Sequence, residues 1–216
     1  MIKVEKIEVT GWEAAVRGMR NPMNSWAKSD SGYVDGAYLL GPNDLDLMHR
    51  LYIGGPEHRK FMRMLVVTMD ITAPLYWWKE YDTYKVGTVA NSCSTMHKIH
   101  AKKFTLDDFS HEHLVVHEPI PCTVLSGKQY LEGLINALNF SREMYLQTKE
   151  KKWWWQMIQL LPTSYNQRRT VQLSYENAVT IIMQRSGHKL DEWRELMQIL
   201  GGLPYLNEIM TGGVQM

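Results

Sequence analysis

The sequence lacks long hydrophobic runs. No apolar run exceeds four residues, and Met64–Val67 is one of these. A helix that spans a bilayer needs about 20 apolar residues, so no transmembrane segment is predicted. The first residues alternate charged and apolar side chains and lack the apolar stretch of a secretory signal. We therefore expect a protein that does not interact with membranes and stays in the cytoplasm.

Cysteine and net charge are also scarce. The 216 residues include two cysteines, Cys93 and Cys122, and this predicts free thiols rather than a disulfide framework. The formal charge of +1 excludes a global field that would attract nucleic acid, so any polyanion site must be local.

What the chain does contain is typical of a folded globular protein. Apolar residues make up 44% and charged residues 22%, and the length fits a single domain over 1–216. The 14 methionines and 8 tryptophans suit a large core or a subunit interface.

Hydrophobic periodicity predicts two strands in the first third of the chain. Residues 1–10 alternate with a slip in register between Val4 and Ile7, and residues 58–71 alternate with apolar side chains on both faces. The second segment is the predicted central strand. The polar segments 21–36 and 87–95 are predicted loops.

Helices are predicted where capping residues precede an apolar stripe. Thr72-Ala73-Pro74 provides a cap and an early-helix proline for a helix over 75–81 or a little beyond, and the capping box beginning at Ser126 introduces another that reaches about Lys149. A further helix is predicted over 174–184, and one more over 190–200. The triple tryptophan 153–155 is predicted to return to the interior.

Several polar groups are candidates for chemistry, each with a structural alternative. Cys93 lies in a run of small polar residues that suits phosphate or a nucleophile, or forms an ordinary turn. Gln167-Arg168-Arg169 lies beside a proline-containing turn, and its adjacent guanidinium groups suit a phosphate or a carboxylate, or form a salt-bridged or subunit-facing pair. Arg185 ends an apolar stripe, so its guanidinium must meet a carboxylate, a carbonyl or a ligand.

Five histidines lie between the two cysteines: His97, His100, His111, His113 and His117. Their spacing matches no common zinc pattern, because CxxC and HExxH are both missing. We predict surface or hydrogen-bonded histidines and no metal, and a metal-dependent hydrolase stays as an alternative.

The segment 74–88 resembles the flavin-dependent thymidylate synthases, in which a proline and an aromatic helix lead into a signature. That signature is Arg-His-Arg, seven residues, then serine. Without a gap the triplet falls on Thr83-Tyr84-Lys85 and the serine on Cys93, and Gly87 falls where many members have glycine.

Two further matches keep the family's order. Glu57-His58 is similar to a Glu-His pair whose histidine contacts flavin in the family. Near the C-terminus, the family has an asparagine followed eleven residues later by an arginine that binds the nucleotide, and these fall on Ser174 and Arg185. Trp193 follows, as a tryptophan often does in the family. The resemblance covers about Asp44 to Leu196.

The resemblance implies an α+β fold, with a central twisted antiparallel or mixed sheet and flanking helices, assembled as a homotetramer. It also implies a flavoprotein methyltransferase of nucleotide biosynthesis, in which FAD, NADPH and methylenetetrahydrofolate convert dUMP. The implied cofactor residues are His58, Thr83, Tyr84, Lys85 and Ser174. The implied substrate residues are Glu80, Asn91 and Arg185, and the implied catalytic residues are Cys93 and Ser94.

Departures from the signature put this activity in doubt. Thr83 and Tyr84 cannot supply the cationic charge that suits the cofactor's phosphates, which leaves Lys85. Glu80 replaces a glutamine that contacts dUMP, Asn91 replaces a glutamate, and an arginine after the serine falls on Thr95. Two interpretations follow: an FAD-dependent enzyme that acts on dUMP or on an altered nucleotide substrate, or a non-catalytic nucleotide-binding or assembly protein that has lost FAD.

Either interpretation makes one spatial prediction. Glu57-His58, the 83–94 segment and the helix that carries Arg185 should converge around one crevice, with different copies of the chain contributing.

Overall fold

The structure, a computed structural model, describes residues 2–121 and 123–213, so the thiol prediction for Cys122 lies outside the described residues. Helices and strands follow one another in the order β1 Lys3–Thr10, α1 Trp12–Arg20, β2 Gly32–Val34, β3 Ala37–Leu39, α2 Pro42–Ile53, β4 Val66–Pro74, α3 Leu75–Tyr81, β5 Val89–Ser92, α4 Gly127–Thr148, α5 Lys151–Leu160, β6 Asn166–Ser174, α6 Tyr175–Arg185, α7 Asp191–Gly201 and α8 Leu206–Thr211.

Four strands form the main sheet, in the order β1-β4-β6-β5, and β2 and β3 form a separate antiparallel hairpin. The predicted fold class, α+β with an antiparallel sheet and flanking helices, is confirmed. Among the described residues, no helix is both long enough and apolar enough to cross a bilayer.

The chain separates into two compact units, each built from several segments. The first unit comprises the described residues of 2–3, 72–83 and 91–169. The second comprises those of 4–71, 84–90 and 170–213.

The first unit is built around a hairpin of two helices, α4 and α5. The Ser126 hydroxyl accepts from the backbone of Gln129, and the Gln129 side chain bonds back, which confirms the predicted capping box. The core side chains are Ile99, Phe104, Phe109, Leu131, Ile135, Leu138 and Met157. The predicted return of the triple tryptophan to the interior is only partly right, because Trp155 is 44% exposed.

In the second unit, a buried ion pair fixes the loop that follows α1. Arg20 Nε donates to Asp44 Oδ1 over 2.6 Å, and both side chains are almost fully buried. Asp44 Oδ2 also accepts from the hydroxyls of Ser29 and Ser31, each at 2.7 Å, and from the backbone N–H of Ser31 at 3.1 Å. One carboxylate therefore ties the loop to the first turn of α2.

Two strand predictions near the N-terminus met different outcomes. The register slip in β1 is confirmed, because Lys6 adopts a φ of 52° in mid-strand. The central strand over 58–71 is wrong at its start, since Arg59–Arg63 forms a 3-10 helix and β4 begins at Val66. Phe61 and Met62 are both buried although they are consecutive, and a strand buried on both faces would show the same burial, so the apolar pattern did not separate the strand from the 3-10 helix.

The predicted loop over 87–95 contains a strand, β5, and this prediction was wrong there. All four residues of β5 are exposed, so the strand carries no apolar signal. It lies at the edge of the sheet order, where hydrogen bonds to a single neighbour define it. The loop predicted over 21–36 likewise includes β2.

Candidate functional site

The residues predicted for a site divide between the two units. Glu80, Thr83, Asn91, Cys93 and Ser94 belong to the first unit. The second unit contains His58, Tyr84, Lys85, Ser174 and Arg185.

Arg185, in the second unit, ends α6 and meets two aromatic rings. Its Nε donates to the Tyr84 hydroxyl over 2.9 Å, and its guanidinium carbon lies 4.5 Å from the Trp193 ring centroid and 5.4 Å from that of Tyr84. Such cation–π contacts each contribute about 0.5–2 kcal/mol. The partners seen here are a phenol hydroxyl and two aromatic rings, which differ from the carboxylate, carbonyl or ligand that the sequence predicted.

We call Tyr84, Arg185, His188 and Trp193 the Arg185 cluster. Trp193 is fully buried, and its ring contacts Tyr84 edge-on with a centroid distance of 5.9 Å. His188 contacts the same tryptophan at 6.0 Å. Tyr84 and Arg185 are both partly buried.

The segment from Tyr84 to Thr88 is held against α6 by Asn177. Its Nδ2 donates to the carbonyl of Val86 over 2.8 Å. Gly87 has a φ of 75°, and a Cβ there would lie 2.9 Å from Asn177 Oδ1, so only glycine fits without displacement. The Thr88 hydroxyl donates to the Tyr84 carbonyl. Lys85, between these anchors, is exposed.

Ser174 caps the start of α6. Its hydroxyl donates to Asn177 Oδ1 over 2.7 Å and accepts from the Asn177 backbone N–H over 3.2 Å. Sequence reasoning missed Asn177, although its place three residues after a serine cap is a readable signal. The serine is engaged in a structural role that the helix needs.

His58 borders a different part of the second unit. Its ring is exposed, with Nε2 3.8 Å from the Glu57 carboxylate. The residue helps to line a cavity of about 560 Å³. The other lining residues are mainly apolar, with Asn21, Glu57 and Lys60 as polar members, and include Met19, Leu51, Phe61 and Met64.

Cys93, in the first unit, is exposed at the end of β5, and its backbone is fixed. Its N–H donates to the carbonyl of Arg168 over 2.9 Å, and its carbonyl accepts from Gln167 Nε2 over 2.8 Å. Gln167 is buried and also accepts from Arg169 Nε over 3.0 Å. These two hydrogen bonds therefore fix the backbone that carries the Cys93 thiol.

Arg169 forms a salt bridge, as one of the alternatives for the arginine pair predicted. Its Nη1 lies 2.7 Å from the Asp82 carboxylate, and its guanidinium carbon lies 4.2 Å from the Trp78 ring centroid. Trp78 Nε1 donates to the carbonyl of Gln167 over 2.8 Å. Sequence reasoning placed Gln167-Arg168-Arg169 beside a turn and did not predict strand β6, which contains all three.

The other predicted residues of the first unit are engaged locally. The Ser94 hydroxyl accepts from the backbone N–H of His97 over 3.0 Å, which closes a turn. The Thr83 hydroxyl donates to the Glu80 carbonyl over 2.7 Å, at the end of α3. Asn91 is exposed in β5.

Burial raises the pKa of Tyr165, and the nearby acidic groups of Asp108 and Cys93 raise it further, so this phenol stays protonated at neutral pH.

The residues implied for FAD do not fit that cofactor. The hydroxyls of Thr83, Tyr84 and Ser174 already bond within the chain, and of the signature triplet only Lys85 carries positive charge. A pyrophosphate is held by several cations or backbone donors, which these residues do not supply. His58 beside its cavity is the one feature that suits a flat cofactor.

The histidines of the 93–122 segment do not gather into a cluster. Over residues 2–121 and 123–213, no group of three or more His, Cys, Asp or Glu side chains could hold a metal ion. His111 Nδ1 lies 2.8 Å from the carbonyl of Phe109, and the His100 ring packs on Tyr145.

No family model matches the sequence, and no curated protein matches it. Solved structures do match its fold. Two structures of the flavin-dependent thymidylate synthase ThyX from Helicobacter pylori with FAD and dUMP have TM-scores of 0.66 and 0.65, at 17% and 16% identity. They cover 96% and 97% of this chain, and 97% of their own chains in both cases.

A third match is the UMP/dUMP methylase PolB from Streptomyces cacaoi bound with 5-Br dUMP. Its TM-score is 0.62 at 14% identity, covering 98% of this chain and 95% of the other. At such identities the likeness establishes a shared fold over nearly the whole chain.

Proposed function

We propose that this protein binds a pyrimidine nucleoside monophosphate such as dUMP, with Arg185 binding the phosphate. The observation that carries the proposal is the Arg185 cluster, in which a partly exposed guanidinium is oriented by Tyr84 and Trp193. Guanidinium groups suit phosphate oxygens because they offer paired, charged donors. Structures of the same fold with dUMP and 5-Br dUMP support this choice of ligand.

We further propose that binding does not involve flavin chemistry, because the residues implied for FAD do not fit it. The protein is then a nucleotide-binding homologue without redox activity, in which Cys93 and Ser94 have no catalytic role. A second candidate is FAD-dependent methylation of the nucleotide with NADPH and methylenetetrahydrofolate. The cavity beside His58 favours it.

Calorimetric titration with dUMP and with deoxyuridine tests the phosphate contact. We expect Arg185→Lys to weaken dUMP binding by about 10- to 100-fold, because lysine loses the planar fork and the bond to Tyr84. Deoxyuridine, which has no phosphate, should bind parent and variant alike. Arg50→Lys is the matched control, since Arg50 forms an exposed pair with Asp46. Equal dUMP affinities for parent and Arg185→Lys would contradict the assignment.

Flavin binding separates the two candidates. We expect the purified protein to show no visible flavin absorption, even after incubation with FAD and dUMP followed by gel filtration. Stoichiometric retained FAD, with consumption of NADPH, would establish the second candidate instead. Retention lost in His58→Ala would then place the cofactor at the cavity.

We also propose a cytoplasmic homotetramer. Met23 is 82% exposed and Trp26 is 51% exposed, and apolar surface of this kind suits contact with another copy of the chain. Light scattering coupled to gel filtration should give about four times the mass of one chain. A monomer at micromolar concentration would contradict this.

A further inference from the structure

We infer that Tyr84 is a positioning residue for the nucleotide site, and that its hydroxyl sets the direction in which Arg185 presents its guanidinium. This inference rests on the proposed function and names the residue on which the orientation of the phosphate ligand depends. Tyr84 itself does not contact the phosphate.

The geometry of the contact carries the first step. The hydroxyl accepts a hydrogen bond from Arg185 Nε over 2.9 Å. Nε lies on one edge of the planar guanidinium, so a fixed partner there restrains rotation about the last torsion of the side chain. The planar guanidinium, whose Nη groups carry donors that suit an anion, then points in a defined direction.

Trp193 supplies the second restraint. Its buried ring lies under the guanidinium carbon at a centroid distance of 4.5 Å, so the ring restrains the position of the group as well as its Nε edge. An arginine ordered before binding loses less rotamer entropy when a ligand arrives, and a larger share of the contact energy then appears as affinity.

The third step is the anchoring of Tyr84. The tyrosine is joined to a segment that Asn177 holds at Val86, where Gly87 permits the close approach. Asn177 and Arg185 both lie on α6, so one helix fixes the arginine and also the segment that orients it. The hydroxyl therefore has a defined place relative to Nε.

A purely structural role for Tyr84 makes a different prediction. Its ring contacts Trp193 edge-on, and phenylalanine keeps that contact. If packing were the whole role, Tyr84→Phe would leave nucleotide affinity unchanged. If the hydroxyl orients Arg185, the variant loses phosphate affinity while the fold and the binding of a ligand without phosphate are unaltered.

The test compares the full-length parent, Tyr84→Phe and the matched control Tyr33→Phe, whose ring is 66% exposed on the hairpin. We expect Tyr84→Phe to bind dUMP about tenfold more weakly, the value of one hydrogen bond to a charged group. Deoxyuridine affinity should not change. The Arg185 Nε–H, assigned by its loss in Arg185→Lys, should exchange faster with solvent in Tyr84→Phe only.

The outcomes separate the two claims. If the parent binds dUMP and Tyr84→Phe binds it equally well, this inference fails and the proposed function stands. If the parent does not bind dUMP at all, both fail. A weaker affinity without faster Nε–H exchange would also overturn the inference, because Tyr84 would then act by another route.

Discussion

Replacing Asp44 with alanine is expected to lower the free energy of unfolding by about 3–5 kcal/mol. The substitution leaves the Arg20 guanidinium buried without its carboxylate, and it removes the shared acceptor of Ser29 and Ser31. Removal of one partner from a buried pair costs far more than the pair contributes at an exposed site. Urea denaturation followed by circular dichroism measures the change.

Two control variants separate the buried pair from general effects. Asp44→Asn keeps the volume but removes the charge, so it should fall between the parent and Asp44→Ala. Asp46→Ala removes the exposed partner of Arg50 on the same helix and should cost less than about 1 kcal/mol. Equal losses for Asp44→Ala and Asp46→Ala would show that the buried network contributes little.

The same carboxylate predicts a dependence of stability on pH. Burial by itself raises the pKa of Asp44, but hydrogen bonds from Ser31, Ser29 and Arg20 outweigh it, and the pKa lies below its usual value. A lowered pKa in the folded state gives stability that is complete above the unfolded pKa of about 3.9 and is lost as pH falls through the folded value. The difference in stability between the parent and Asp44→Asn should therefore shrink below about pH 4. A constant difference down to the acid limit would contradict this.

Replacing Gly11 with alanine is expected to cost about 2–5 kcal/mol, from two causes that add. Gly11 has a φ of 95°, which strains any residue with a Cβ, and the added Cβ would lie 2.0 Å from the backbone carbonyl oxygen of Met64. Because that obstacle is backbone, no side chain can rotate away. The turn between β1 and α1 would have to move.

Gly36→Ala is the matched control for this clash. Gly36 has a φ of 82° but no atom within 4 Å of the added Cβ, so the variant measures the strain alone, about 1–2 kcal/mol. Thermal and urea unfolding of both variants give the comparison. A Gly11→Ala variant as stable as Gly36→Ala would mean that Gly11 and the Met64 carbonyl do not approach as described.

Local signals predicted much of the helical structure from the sequence. The helix over 75–81 was predicted in its place, with an end at Tyr81 or a little beyond, but the predicted cap was wrong, because Thr72-Ala73-Pro74 ends β4 and no side chain caps the helix. The Ser126 capping box predicted α4, and the apolar stripe that ends at Arg185 predicted α6. These features depend on neighbours within four residues, so a single sequence contains them in full.

Local signals did not predict the strand at the sheet edge or the contacts between residues distant in sequence. All residues of β5 are exposed, so pairing with β6 alone reveals the strand. The Arg20–Asp44 pair joins residues 24 positions apart, and nothing local predicts it. The β6 segment did alternate, with Gln167, Val171 and Leu173 buried, but its polar members concealed the period.

The sequence identified residues of the candidate site, but it did not identify the contacts that these residues make. The resemblance drew attention to both Tyr84 and Arg185, and the structure brings them into contact. It did not indicate that Tyr84 would bond to the arginine, because the family has histidine at that position. Convergence of Glu57-His58 with these residues stays a prediction.

The substitutions in the signature have a common physical consequence. Thr83 closes the end of α3, Tyr84 accepts a hydrogen bond from Arg185, and Ser174 caps α6, so three positions implied for the cofactor stabilise the chain itself. Arg185 keeps the chemistry of a phosphate ligand. We therefore expect nucleotide recognition to persist where flavin binding does not.

A crystal structure of the protein grown with dUMP tests the central claim most directly. The account predicts density for the phosphate within hydrogen-bonding distance of the Arg185 guanidinium, with Tyr84 still bonded to Nε and no flavin present. Phosphate bound away from Arg185 at full occupancy, or a flavin beside His58 with Tyr84 displaced, would contradict it.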